Sequence, residues 1–155
     1  MAEIIECKTP EETFALGEQL GERLAAGDVI LLHGGLGAGK TLFAKGILNA
    51  LDFDVDEVTS PSFTLVNLYK TPRFDVHHID LWRLDANSDA AFAVGLDEIF
   101  ENDNSVVIIE WAERLGIYPF PGRVFDVQIK GLGDDVREIT IEIKQRRDRS
   151  ETISI

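Results

Sequence analysis

The sequence predicts an α/β fold: a mainly parallel central sheet with added antiparallel strands and helices on both faces. Three observations predict it. Val29–Leu32 and Val106–Ile109 are continuous apolar runs, the pattern of strands buried on both faces. Strand and helix patterns alternate through the first half of the chain. Later segments read as strand pairs joined by turn signals.

Taken in order, residues 3–7 form a short first strand. Thr9-Pro10-Glu11-Glu12 then opens a helix, with Thr9 as N-cap, Pro10 in the first helical position and Glu12 closing a capping box. Leu16, Leu20 and Leu24 recur every four residues and make one apolar stripe. The Val29–Leu32 strand follows, then a Gly-rich turn. A helix from Thr41 to about Leu51 aligns Phe43, Ile47 and Leu51 on one face. The acidic stretch 52–57 reads as a loop. Segments 63–70 and 74–82 read as antiparallel strands around Thr71-Pro72-Arg73. Residues 85–100 read as helix, with a possible break at Gly95. Val106–Ile109 is the second buried strand. Segments 123–130 and 136–144 flank Gly131-Leu132-Gly133-Asp134, a hairpin signal.

Length and charge narrow the function. The chain has 155 residues and a net charge of −13, which fits one domain over 1–155, with 145–155 expected as an exposed tail. A body this acidic is repelled by phosphate backbones, so stand-alone nucleic-acid binding is not expected. The run from Lys144 to Ser150 is locally basic and reads either as a solvated tail or as a contact for RNA or an acidic partner. Cys7 is the single cysteine, so no internal disulfide forms. The two apolar runs are far short of the roughly 20 residues that cross a membrane, and no leader pattern opens the chain. A cytoplasmic protein is expected.

Residues 34–41 read Gly34-Gly35-Leu36-Gly37-Ala38-Gly39-Lys40-Thr41, which fits G-x-x-x-x-G-K-[ST] between a buried strand and a helix. Glycines let successive backbone N–H groups curl around an anion, and the helix that begins there turns its positive end toward it. This predicts a P-loop NTPase fold that binds ATP and Mg²⁺. Lys40 would reach the β- and γ-phosphates, and the Thr41 hydroxyl would ligate the metal. The other reading is a Gly-rich turn with a helix cap. The metal also needs a carboxylate. Glu110 ends the more apolar strand, and Asp80 sits in His78-Ile79-Asp80-Leu81. Thr41 and Glu110 are the expected Mg²⁺ ligands, with Asp80 behind them or positioning the attacking water. Lys40, Asp80 and Glu110 form the expected catalytic set.

Thr59-Ser60-Pro61-Ser62-Phe63-Thr64 reads as a switch loop sensing the γ-phosphate, or as an ordinary loop. Trp111 reads as core filler or as a ring packing on a base or on the switch. The expected nucleotide contacts are Gly35, Leu36, Gly37, Ala38, Gly39, Lys40, Thr41 and Leu42, with Thr59, Ser60 and Trp111. Adjacent His77 and His78 face opposite sides of a strand; His78 supports the site and His77 is expected at the surface. No internal arginine finger is evident. Arg83 is the nearest by motif, on the face opposite Asp80 if the strand continues.

Four blocks in order, GGLGAGKT, TSPSFTL, HIDLWRL and IIEWAERL, resemble the TsaE (YjeE) family of small bacterial P-loop ATPases. Gly35 stands where that family usually has Asp, Ser62 where it has Thr, Trp82 where it has Tyr, and Ala112 where it has Pro. The resemblance implies an ATPase, slow alone and stimulated by partners. It would work with TsaD-like and TsaB-like proteins to make threonylcarbamoyladenosine in tRNA, hydrolysis driving or resetting the complex. It would meet tRNA only through that complex. A small-molecule or nucleotide kinase, and a non-hydrolysing ATP-gated binding module, stay open at this point. A GTPase does not fit, since no NKxD-type segment occurs.

Overall fold

The structure is a computed structural model and describes residues 2–35, 37–59, 61, 64–84, 89–131, 133–134 and 136–144. The expected tail, 145–155, lies outside these, as do Leu36 and Ser60. The strands are β1 (Ala2–Cys7), β2 (Val29–His33), β3 (Val66–Lys70), β4 (Asp75–Asp80), β5 (Ser105–Glu110), β6 (Val124–Lys130) and β7 (Arg137–Lys144). The helices are α1 (Pro10–Gly21), α2 (Lys40–Ala50), α3 (Ala90–Val94) and α4 (Leu96–Ile99).

All seven strands form one sheet in the order β1-β7-β6-β2-β5-β4-β3. The four central strands, β6, β2, β5 and β4, run parallel. β3 at one edge, and β7 with β1 at the other, are antiparallel. Side chains alternate across the sheet. Ile30, Leu32, Ile108 and Phe125 pack with α1 and α2 in one core. Val29, Val107, Ile109 and Ile79 pack with α3 and α4 in the other. The mixed α/β architecture matches the expectation.

Local chemistry sets the helices. Thr9 Oγ1 accepts from the Glu12 N–H at 3.1 Å, and the Glu12 carboxylate accepts from the Lys8 N–H at 2.6 Å. The capping box therefore closes one residue earlier than the pattern implies. α1 and α2 cross where side chains are missing. A Cβ on Gly17 would run into the Phe43 carbonyl, and one on Gly46 into the Phe14 carbonyl. This close approach seats α2, and the loop before it, against the sheet.

The structure corrects some boundaries. β3 begins at Val66, not 63: Leu65 has φ 68°, and its N–H bonds the Pro61 carbonyl at 2.8 Å, so Thr64 and Leu65 turn. β4 stops at Asp80, so Trp82 and Arg83 lie in a turn and the strand-face argument for Arg83 does not apply. The 52–57 loop contains a 3-10 turn at Val55–Glu57, capped by Asp54. The helix expected over 85–100 is two short helices that meet at Gly95, φ 71°; 85–88 lie outside the described residues. His77 is half-buried, not at the surface, because β3 covers its edge of the sheet.

The chain leaves β5 on one side of β2 and returns as β6 on the other. In open parallel sheets a crevice forms at such a switch point, beyond the carboxyl ends of the strands. His33, Asp80 and Glu110 are the last residues of β2, β4 and β5. The candidate site is built there.

Candidate functional site

The Gly-rich loop joins β2 to α2. Gly39 is the N-cap of α2 at φ 106°, a conformation costly for any residue with a Cβ, and no side chain caps the helix. The first-turn N–H groups of α2 are left for another acceptor. Lys40 is 6% exposed, and its ammonium folds back over the loop, donating to the Gly34 and Gly35 carbonyls at 2.8 Å each. It also lies 4.2 Å from the centre of the Trp111 ring. Burial lowers the Lys40 pKa, opposed by the nearby Glu110, Glu113 and Asp80 carboxylates.

Thr41 Oγ1 lies 3.2 and 3.3 Å from the two carboxylate oxygens of Glu110. Glu110 is 3% exposed, and its other partner is the fully buried His78, with Nε2 at 2.5 Å. Asp80 pairs in register with Glu110 and accepts from the Trp82 N–H at 2.8 Å. The two acids and the hydroxyl, hard oxygen donors, therefore meet beside the lysine. Among the described residues no cluster of three or more His, Cys, Asp or Glu suits a metal. Mg²⁺ does not need one, since it takes one or two protein oxygens and completes its shell from phosphates and water.

Trp111 has φ 58° and ψ 42°, a left-handed conformation that is an outlier for a bulky residue. The turn swings its ring out of the sheet and over Lys40. The Trp82 ring packs on it, tilted by 36° with centroids 4.4 Å apart, and the Arg114 guanidinium lies 5.2 Å from the Trp82 ring. Held strain of this kind concentrates at functional sites. Thr59 is fixed differently: its carbonyl accepts from the Tyr69 hydroxyl at 3.0 Å and from Asn67 at 3.3 Å. Gly35, Gly37, Ala38 and Gly39 lie in the loop between β2 and α2. Leu42 faces a cavity of about 250 Å³ beside it, lined also by Thr9, Thr13, Ala38, Gly39 and Arg137.

Some site residues escape sequence reasoning. Arg137 lies a hundred positions from the loop yet donates to its carbonyls. Only the β1–β7–β6 pairing brings it there. His33, just before Gly34, sits between Asp126 at 2.9 Å and Glu113 at 3.5 Å. A polar residue ending an apolar strand is the signal that could have flagged it.

A family model described as "Threonylcarbamoyl adenosine biosynthesis protein TsaE" matches residues 7–148. The chain belongs to the TsaE family. It is 38% identical over 150 residues to the "tRNA threonylcarbamoyladenosine biosynthesis protein TsaE" of Mycobacterium leprae, covering 92% of each chain. It is 37% identical over 131 residues to the protein of that name from Bacillus subtilis, covering 84% of this chain and 79% of that one. Among solved structures it resembles Bacillus subtilis YdiB, with a TM-score of 0.71, 32% identity, and coverage of 99% of this chain and 92% of that one. Against the TsaE pattern, Gly35 is not forced by geometry: a Cβ there meets nothing within 4 Å. Trp82, where the pattern has Tyr, keeps an aromatic ring, which packs against Trp111.

Proposed function

We propose that the chain is a P-loop ATPase that binds and hydrolyses Mg-ATP within the assembly that makes threonylcarbamoyladenosine in tRNA. The observation that carries this reading is the meeting of Lys40, Thr41 and Glu110 at the uncapped start of α2. Family membership supports the pathway.

In this reading the loop N–H groups and the start of α2 hold the phosphates, and the nucleoside occupies the cavity beside Leu42 and Thr13. Lys40 leaves the Gly34 and Gly35 carbonyls to meet the phosphates. Thr41 and Glu110 would hold Mg²⁺, which neutralises charge developing on the phosphates. His78 holds the Glu110 carboxylate in place. Asp80 would orient water. Glu110, Glu113 and Asp80 lie near Lys40, so Mg²⁺ carried with ATP would offset their repulsion of the phosphates, and the magnesium complex is the favoured ligand. With a net charge of −13, contact with tRNA goes through partners, here TsaD-like and TsaB-like proteins. A tRNA-modifying role fits the cytoplasm, and no helix among the described residues is long and apolar enough to cross a membrane.

The test titrates ATP by calorimetry, with and without Mg²⁺, and follows phosphate release. Lys40→Ala removes charge-assisted contacts worth about 1.5–3 kcal/mol, so affinity falls roughly ten- to a hundred-fold and hydrolysis stops. Glu110→Gln abolishes the Mg²⁺ dependence more completely than Asp80→Asn. Unchanged ATP binding in a folded Lys40→Ala protein rejects the P-loop reading.

A further inference from the structure

Arg137 opens β7, opposite Cys7 of β1. Its side chain crosses Gly131, where φ is 132° and a Cβ would stand 2.9 Å from Arg137 Cδ and 3.2 Å from Nη1. Gly131 thus leaves the lane that the arginine occupies. At its far end Nε donates to the Ala38 carbonyl at 2.9 Å, and Nη2 donates to Gly37 at 3.3 Å and to Gly133 at 3.0 Å. One guanidinium therefore ties the outer limb of the Gly-rich loop to the β6–β7 hairpin.

The geometry points to Arg137 as a positioning residue for the phosphate-binding loop, which rests on the P-loop reading above. A peptide unit is planar and trans, so its C=O and N–H point in opposite directions. Holding the Gly37 carbonyl outward turns the Ala38 N–H inward, and holding the Ala38 carbonyl outward turns the Gly39 N–H inward. In the unliganded loop the Ala38 N–H bonds the Gly35 carbonyl at 3.1 Å, a contact that an arriving phosphate would replace. Glycine at 37 and 39 makes these peptide planes easy to rotate. Arg137 supplies what the glycines lack, a fixed orientation before the anion arrives. A fork with two donor nitrogens is needed to hold two successive carbonyls; a lysine brings the charge without the fork.

The test compares wild type, Arg137→Ala and Arg137→Lys by calorimetry with Mg-ADP and Mg-ATP, and by steady-state ATPase kinetics. The Ala and Lys variants are both expected to bind each nucleotide about tenfold more weakly, the scale of a lost charge-assisted hydrogen bond. The ratio of ADP to ATP affinity stays that of wild type, because the amides of 38 and 39 do not depend on the γ-phosphate. KM rises while kcat at saturation holds within about twofold, the mark of lost uniform binding. The Lys variant keeps the aliphatic stem over Gly131 and keeps the hairpin packed, so its affinity decides the matter even where Ala loosens the fold. Wild-type affinity in Arg137→Lys overturns the inference, leaving only a general charge effect, as does wild-type affinity in both variants. Failure of the wild-type protein itself to bind Mg-nucleotide overturns instead the reading on which the inference rests.

Discussion

His33 is the residue whose ionisation reaches the loop most directly, since Gly34 follows it in the chain. Asp126 raises its pKa, Glu113 adds to that, and burial works against both. His33 Nε2 lies 2.9 Å from Asp126 Oδ1, and hydrogen bonding and Coulombic attraction to that carboxylate both favour the charged ring. Asp126 is correspondingly lowered by His33 and then by Lys144. The signs follow from linkage. The raised imidazole contributes stability fully below its unfolded pKa of about 6.5, and that is lost as pH rises through the folded value. The lowered carboxylate contributes above its ordinary value of 3.8 and is lost in acid. Together they stabilise most between about pH 4 and 6.5. Melting curves of wild type and His33→Gln should therefore differ most near pH 5–6 and converge toward pH 8. A difference constant over that range would mean the ring is neutral and the pair does not titrate. At the same scale, Lys40, Thr41 and Glu110 are legible in the sequence because local patterns announce them: a glycine-spaced lysine, and an acid ending an apolar run. Arg137 is not legible, because nothing near it in the chain says that it faces residues 37 and 38.

At the scale of elements, the alternation of apolar runs and helical stripes is enough to place all seven strands, and the turns pair β3 with β4 and β6 with β7, but nothing local pairs β1 with β7. Ends were harder. Leu65 leaves the strand pattern through a backbone angle, and apolar patterning does not encode it. Nor does patterning say how closely two helices approach. Gly17, Gly21 and Gly46 let α1 and α2 touch backbone to backbone. This yields a prediction with an unusual sign. Gly→Ala inside a helix ordinarily stabilises by about 1 kcal/mol. At Gly46 the new methyl meets the Phe14 carbonyl, backbone that cannot swing away, and overpacking of this kind costs about 1–3 kcal/mol. Gly46→Ala should lower the melting temperature by several degrees, at roughly 2–4 °C per kcal/mol for a domain of this size. Gly35→Ala, whose Cβ meets nothing within 4 Å, should leave it unchanged. Equal melting temperatures for the two variants would show that the helices separate freely, and that α2 is not held by this contact.

For the whole molecule, the parallel centre with antiparallel edges follows from the sequence pattern, but the strand order does not. That order decides function, because it puts the ends of β2, β4 and β5 side by side and brings β7 across to the loop. It also bears on where Arg114 and Arg137 sit. Arg114 lies over the Trp82 and Trp111 rings and donates to the Leu84 carbonyl, while Arg137 is engaged with the loop carbonyls. Among the described residues these two arginines are held on rings and carbonyls, and Lys40 is itself drawn back onto the loop and Trp111. A site of this type that lacks a transition-state cation turns over slowly, and a finger supplied by a partner adds about 10³–10⁵-fold. We therefore predict weak ATPase activity for the chain alone and a large rise with the TsaD-like and TsaB-like partners. ATP should tighten docking by the same factor that docking tightens ATP, since coupling between two ligands is reciprocal. The surface that reads the nucleotide should include Trp111, because Lys40 must leave its ring when phosphates arrive, freeing the Trp82–Trp111 pair to move. Phosphate release and complex affinity, measured for wild type and Trp111→Ala with and without ATP, test this. Trp111→Ala should keep nucleotide binding within a few-fold but lose the ATP dependence of docking. Equal turnover with and without partners, together with docking indifferent to ATP, would eliminate gating. The chain would then be an ATPase complete in itself, and the strained Trp111 would need another explanation.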